Sequence, residues 1–123
     1  MAAAREPPSS KPLVWLHGEV KSLPFSAEAR RETGMLLRLL QEGEKLHLPH
    51  AEPLPGLGAR CGALRIRDAG HSWRIVYRAD SDAVLILEVY AKKTRAMPNA
   101  VRDRCRRRLE SYDAVVKAAK KDR

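Results

Sequence analysis

Between Cys61 and Ala91 three strand-like segments follow one another, separated only by Asp68-Ala69-Gly70 and Asp80-Ser81-Asp82. Turns this short fold each segment back antiparallel on the one before it, so this stretch predicts a meander. Cys61 to Arg67 alternates, with Leu64 and Ile66 on one face and Arg65 and Arg67 on the other. Ser72 to Arg78 does the same: Trp73, Ile75 and Tyr77 oppose Arg74, Val76 and Arg78. Ala83 to Ala91 is apolar at both parities through Val84-Leu85-Ile86-Leu87, the pattern of a central strand covered on both faces.

The flanking segments supply the covers. Ser26 is a good N-cap, and Ala29, Thr33, Leu36, Leu37 and Leu40 fall on one helical face, with Gly43 as a stop. This predicts helix within residues 26–46, with Gly34 marking a break between two shorter helices. After Pro98, the residues Val101, Cys105, Leu109, Tyr112 and Val116 form a second helical stripe. Pro12 to His17 is a short strand candidate, and 47–58 is read as irregular because of Pro49, Pro53, Pro55, Gly56 and Gly58. The expected fold is α+β: a twisted, mostly antiparallel sheet of about four strands with helices packed on it. A chain of 123 residues makes one domain, here 12–123, after a disordered tail at 1–11.

Charge is distributed unevenly. Residues 1–91 hold 12 basic and 11 acidic side chains, whereas 92–123 hold 12 basic and 4 acidic, so nearly all of the +9 net charge lies in the C-terminal quarter. That balance points to an anionic partner. The longest apolar stretch, Ala83 to Ala91, contains Glu88 and is far shorter than the roughly 20 residues of a membrane helix, so no membrane association is expected. The start, MAAAREPPSSKP, has no apolar signal region, so the expected location is cytoplasmic, with Cys61 and Cys105 reduced. His47 and His50 stand in an H-x-x-H arrangement with Cys61 downstream, but a fourth ligand at sensible spacing is missing; no metal or cofactor is expected.

The chemistry-bearing residues follow from the alternation. Arg65 and Arg67 share the polar face of the first meander strand, Arg74 and Arg78 that of the second. Glu88, Tyr90 and Lys92 share one parity on the third, just before Lys93, Thr94 and Arg95. Neighbouring strands put such groups within about 5–8 Å of one another. Like charges that close repel, and arginines beside a tyrosine suit a phosphate-and-base site; a merely solvated basic face is the plainer alternative.

Several short motifs in order resemble RelE/HigB-type toxins of bacterial toxin–antitoxin systems, nearest the phage-derived HigB-like branch of the RelE/ParE superfamily. They are Leu54-Pro-Gly-Leu-Gly58, Leu64-Arg-Ile-Arg67, Trp73-Arg-Ile-Val-Tyr-Arg78, and Leu85-Ile-Leu-Glu-Val-Tyr-Ala-Lys-Lys-Thr94 with Pro98 after it. The resemblance covers about residues 12–112. It implies a RelE-like fold in which the 12–17 strand lies beside the 83–91 strand. It also implies a toxin that enters the ribosome and cuts mRNA without a metal, leaving 2′,3′-cyclic phosphate and 5′-hydroxyl ends. A cognate antitoxin, often of helix-turn-helix type, would hold it in check.

Carried over residue by residue, the resemblance makes Arg65, Arg67, Arg74, Glu88, Tyr90 and Lys92 the catalytic set, with Arg74 clamping the scissile phosphate. Arg78, Lys93, Arg95, Arg102, Arg106 and Arg107 are the expected RNA contacts, the last three as a docking face of the C-terminal helix. Tyr77 matches the motif's tyrosine, yet its parity puts it in the core. The chain departs from the family at Ala63, where Glu is usual, and at Glu88, where His is frequent. An arginine cannot act as an ordinary base, so proton transfer falls to a carboxylate, Tyr or Lys. Two other functions fit the same sequence: a ParE-like inhibitor of DNA gyrase, and a basic RNA- or ribosome-binding module without catalysis.

Overall fold

The computed structural model describes residues 10–16 and 25–121. In chain order the elements are β1 (Leu13–Trp15), α1 (Ala27–Gln41), β2 (Ala51–Pro53), a 3-10 turn at Pro55–Leu57, β3 (Cys61–Asp68), β4 (His71–Ala79), β5 (Val84–Ala91) and α2 (Asn99–Lys121). The strands form one sheet in the order β1-β5-β4-β3-β2. β1 runs parallel to β5, with Leu13 opposite Val84, and the other three pairings are antiparallel. The domain is therefore α+β with a mixed sheet of five strands rather than about four.

The additional strand is β2, in the segment the sequence leaves irregular. Its Pro53 cannot donate to a ladder, and an edge position does not require it to. The predicted turn at 68–70 is a two-residue hairpin in which Ala69 and Gly70 both have positive φ, 49° and 83°, matching the twist of the flanking strands.

Helix α1 begins as the sequence predicts, with the Ser26 hydroxyl accepting from the Ala29 N–H. Its buried residues are Ala29, Thr33, Leu36, Leu37 and Leu40, the anticipated stripe. It is continuous through Gly34, where there is open space around the α-carbon, so the expected break does not occur. The 1–11 tail lies outside the described residues except for Ser10 and Lys11. Lys11 is fastened, its backbone N–H bonding the Gln41 carbonyl at 3.0 Å and its ammonium the Asp80 carbonyl at 3.0 Å. His17, at the end of the predicted first strand, lies outside the described residues.

Two cores flank the sheet. Leu64, Ile66, Ile75, Tyr77, Val84 and Ile86 pack with α1. Cys61, Ala63, Val76, Leu85 and Leu87 pack with Val101, Cys105 and Leu109 of α2. β5 is thus covered on both sides, and Val84 to Leu87 are fully buried. A register shift adds one residue to β5: Tyr77 pairs with Ile86 while Val76 pairs with Glu88. The bulge turns both Leu87 and Glu88 toward α2, where each finds partners.

Candidate active site

Direct cross-strand pairing carries the site. Arg65 of β3 stands opposite Arg74 of β4, and Arg74 opposite Tyr90 of β5, so these three residues form one row across the sheet. They lie on the face that α2 covers over Ala63, Val76 and Leu87. One step further along, Arg67 pairs with Ser72, whose carbonyl accepts from the Lys92 N–H at 2.6 Å. Arg65, Arg67, Arg74, Tyr90 and Lys92, five of the six expected catalytic residues, therefore share one end of one face.

Arg74 is buried, 5% exposed, and held from two sides. Its Nε donates to Glu52 Oε1 at 2.9 Å and its Nη1 to the Trp73 carbonyl at 3.1 Å. The same Glu52 oxygen lies 4.0 Å from Lys92 Nζ. Arg65 donates to the Pro49 carbonyl through Nη1 at 3.4 Å, while its Nε is buried without a hydrogen-bond partner among the described residues. A buried donor on a cation normally has an acceptor, so this N–H is the exception among the buried side-chain polar atoms of the described residues. Burial pushes the Tyr90 phenol above its ordinary value; nearby Arg74 opposes that shift and Glu52 adds to it. Tyr90 thus carries its proton at neutral pH and can donate it.

The sixth expected residue is elsewhere. Glu88 is buried beneath α2, where one oxygen accepts from Arg104 at 2.9 Å and the other from Arg108. This carboxylate fastens helix to sheet, and that takes it out of the open cluster in which the sequence offered it as a base. Arg78 is likewise structural and not an exposed RNA contact: it bonds both oxygens of Asp80 and both of Asp113 and is 12% exposed. Lys93, Arg95 and Arg107 are exposed and Arg102 is half-buried. Arg106 is exposed too but donates to the Gly56 carbonyl at 3.0 Å. Tyr77 packs in the α1-side core, the position its parity indicated.

Glu52 is the residue that sequence reasoning missed. It pairs directly with Ala63, the position at which the chain lacks a carboxylate its resemblance would supply. Its side chain is 28% exposed, within reach of solvent and of a bound molecule. The available signal was compositional, since Glu52 is the only acidic residue between Glu44 and Asp68. Its partnership with Arg74 becomes visible only once β2 is paired with β3.

Among the described residues no group of three or more His, Cys, Asp or Glu side chains gathers to hold a metal ion. Both cysteines are buried free thiols, and burial, with Glu88 nearby, pushes Cys105 up to about 12, leaving it unreactive. None of the described helices is long and apolar enough to cross a membrane. A family model described as "Phage derived protein Gp49-like (DUF891)" matches residues 19–110. No curated protein and no solved structure matches the chain.

Proposed function

Because the chain belongs to the Gp49-like phage-derived family, we propose that it is the toxin of a type II toxin–antitoxin pair, a ribosome-dependent, metal-independent mRNA endonuclease of RelE/HigB type. The observation that carries this reading is the Arg65–Arg74–Tyr90 row, with Lys92 beside it and the exposed Arg67 one step further along the same sheet face. Three cations and a protonated phenol in neighbouring positions, two of the cations beside the Glu52 carboxylate, suit a phosphodiester better than any neutral ligand.

The chemistry follows from that arrangement. The ribose 2′-hydroxyl gives up its proton to solvent water as its oxygen attacks the adjacent phosphorus, the bond from phosphorus to the 5′-oxygen breaks, and the products carry a 2′,3′-cyclic phosphate and a 5′-hydroxyl. Negative charge grows on the phosphoryl oxygens at the crowded midpoint. Arg74, already pinned by Glu52 and the Trp73 carbonyl, meets that charge with little reorganisation, and Arg65 adds its positive charge from the facing position on β3. Tyr90 supplies a proton to the departing 5′-oxygen. Arg67 and Lys92 hold the flanking backbone, while Lys93, Arg95, Arg102, Arg106 and Arg107 dock on ribosomal RNA, adding affinity without sequence preference. The toxin works in the cytoplasm and is held inactive by an antitoxin, whose acidic surface would complement the +9 charge.

Induced expression followed by primer extension on translated messages tests the proposal. Cleavage within codons, abolished by Arg74→Ala in a chain that still folds, is the expected outcome. DNA breaks with an SOS response would instead identify a gyrase inhibitor, and ribosome association without cleavage a binding module; either result overturns the nuclease reading.

A further inference from the structure

Glu52 presents a contradiction that has a chemical use. It places a negative charge where a phosphate must bind, 2.9 Å from the Arg74 Nε and 4.0 Å from the Lys92 ammonium. For binding alone, a neutral residue would serve better. The geometry of Arg74 shows what the carboxylate provides. An arginine side chain has several rotatable bonds, and a mobile guanidinium spends little of its time in one orientation. Here Nε is fixed by Glu52 and Nη1 by the Trp73 carbonyl, and Nη2 makes no hydrogen bond to any described residue. The two anchors leave one defined edge of the guanidinium to face a ligand.

We infer that Glu52 is a positioning residue: it holds Arg74 in the orientation that the transition state needs, at the expense of phosphate affinity. This role rests on the nuclease reading above. It assigns Glu52 no bond-making or proton-transfer step. It also accounts for the single-oxygen geometry, because Oε1 faces both cations and stays an acceptor whether or not RNA is present. Binding energy given up in the ground state and recovered as rate is the expected pattern for a group that aligns a catalytic cation.

Affinity and rate should move in opposite directions when Glu52 is replaced. Glu52→Ala adds one net positive charge to the site, so the chain should bind RNA and ribosomes several-fold more tightly, with a salt dependence steeper by roughly one phosphate contact. Its cleavage rate at saturating toxin should nevertheless fall about 100-fold, because Arg74 is no longer aimed. Glu52→Gln keeps an acceptor for Nε without the charge; it should bind as tightly as the Ala variant yet recover most of the missing rate. Loss of folding would weaken binding and rate together, so the two effects are separable.

The test measures single-turnover cleavage of a ribosome-bound message over a toxin titration at several salt concentrations. Alongside it, the Arg74 Nε–H resonance is followed by NMR in an ¹⁵N-arginine-labelled chain. A slowly exchanging Arg74 signal in wild type and Glu52→Gln, absent in Glu52→Ala, together with the rate and affinity pattern above, supports the role. An Ala variant that cleaves at the wild-type rate overturns it. So does a Gln variant as slow as Ala, which would make Glu52 the proton acceptor. Absence of the protected signal in wild type overturns the contact itself, whatever the activity. A wild-type chain that leaves the message intact while showing the signal removes the nuclease reading and this role with it.

Discussion

Arg78 on β4 and Asp113 on α2, 35 residues apart in sequence, are joined by two hydrogen bonds of 3.0 and 2.7 Å, and Asp80 closes on the same guanidinium from the other side. The arginine beside it holds the Asp113 carboxyl below its ordinary value. A carboxylate whose folded-state value is depressed contributes stability that is complete above the unfolded value of about 3.9 and is lost as pH falls through the folded one. The stability this pair contributes should therefore fade below about pH 4, and Asp113→Asn should flatten the dependence of stability on pH there. Asp113 is largely solvent-facing, so the cost of the substitution at pH 7 should stay below about 1 kcal/mol in urea titrations.

Gly62 marks a tight crossing. A Cβ at this position would stand 2.7 Å from the Tyr77 hydroxyl and 3.0 Å from the Glu52 carbonyl oxygen. The second neighbour is backbone and cannot step aside without moving β2. Gly62→Ala should cost about 1–3 kcal/mol in thermal or urea unfolding. Adding Tyr77→Phe, which removes the hydroxyl but leaves the ring, should recover only part of that stability.

The Glu88 tie to Arg104 and Arg108 should be asymmetric under mutation. The two arginines are 40% and 28% exposed and can turn to water, whereas the carboxylate is 7% exposed. Replacing both arginines by Ala strips two donors from a buried charge and should cost about 3–5 kcal/mol at pH 7. Glu88→Gln should cost less. Denaturant midpoints of the two variants at pH 7 check this.

For the basic helix, Arg106→Ala with Arg107→Ala should reduce the slope of ribosome affinity against salt by about one for each phosphate that is no longer neutralised, while leaving cleavage at saturation intact. Arg106 also bonds the Gly56 carbonyl, so its share should be smaller than that of Arg107, whose side chain is exposed. Identical slopes in wild type and variant would mean that this helix face is merely solvated.

Alternation and helical spacing determined much of this molecule unaided. The meander, both helical stripes, the Ser26 cap and the shared face of Arg65, Arg74 and Tyr90 are legible because each depends on local period and turn length, whereas the place of the 12–17 strand beside β5 comes from the family resemblance alone. What tertiary structure decided was which charges pair. β2 forms only because β3 offers it an edge, and that pairing brings Glu52 to Arg74. Glu88 and Arg78 share the parity of the basic cluster, yet α2 settles over both and converts them into anchors. A strand's alternation assigns a side chain to a face but does not say which part of that face a later helix will cover. The long-range contact therefore separates the cations left open to a ligand from those already satisfied within the fold.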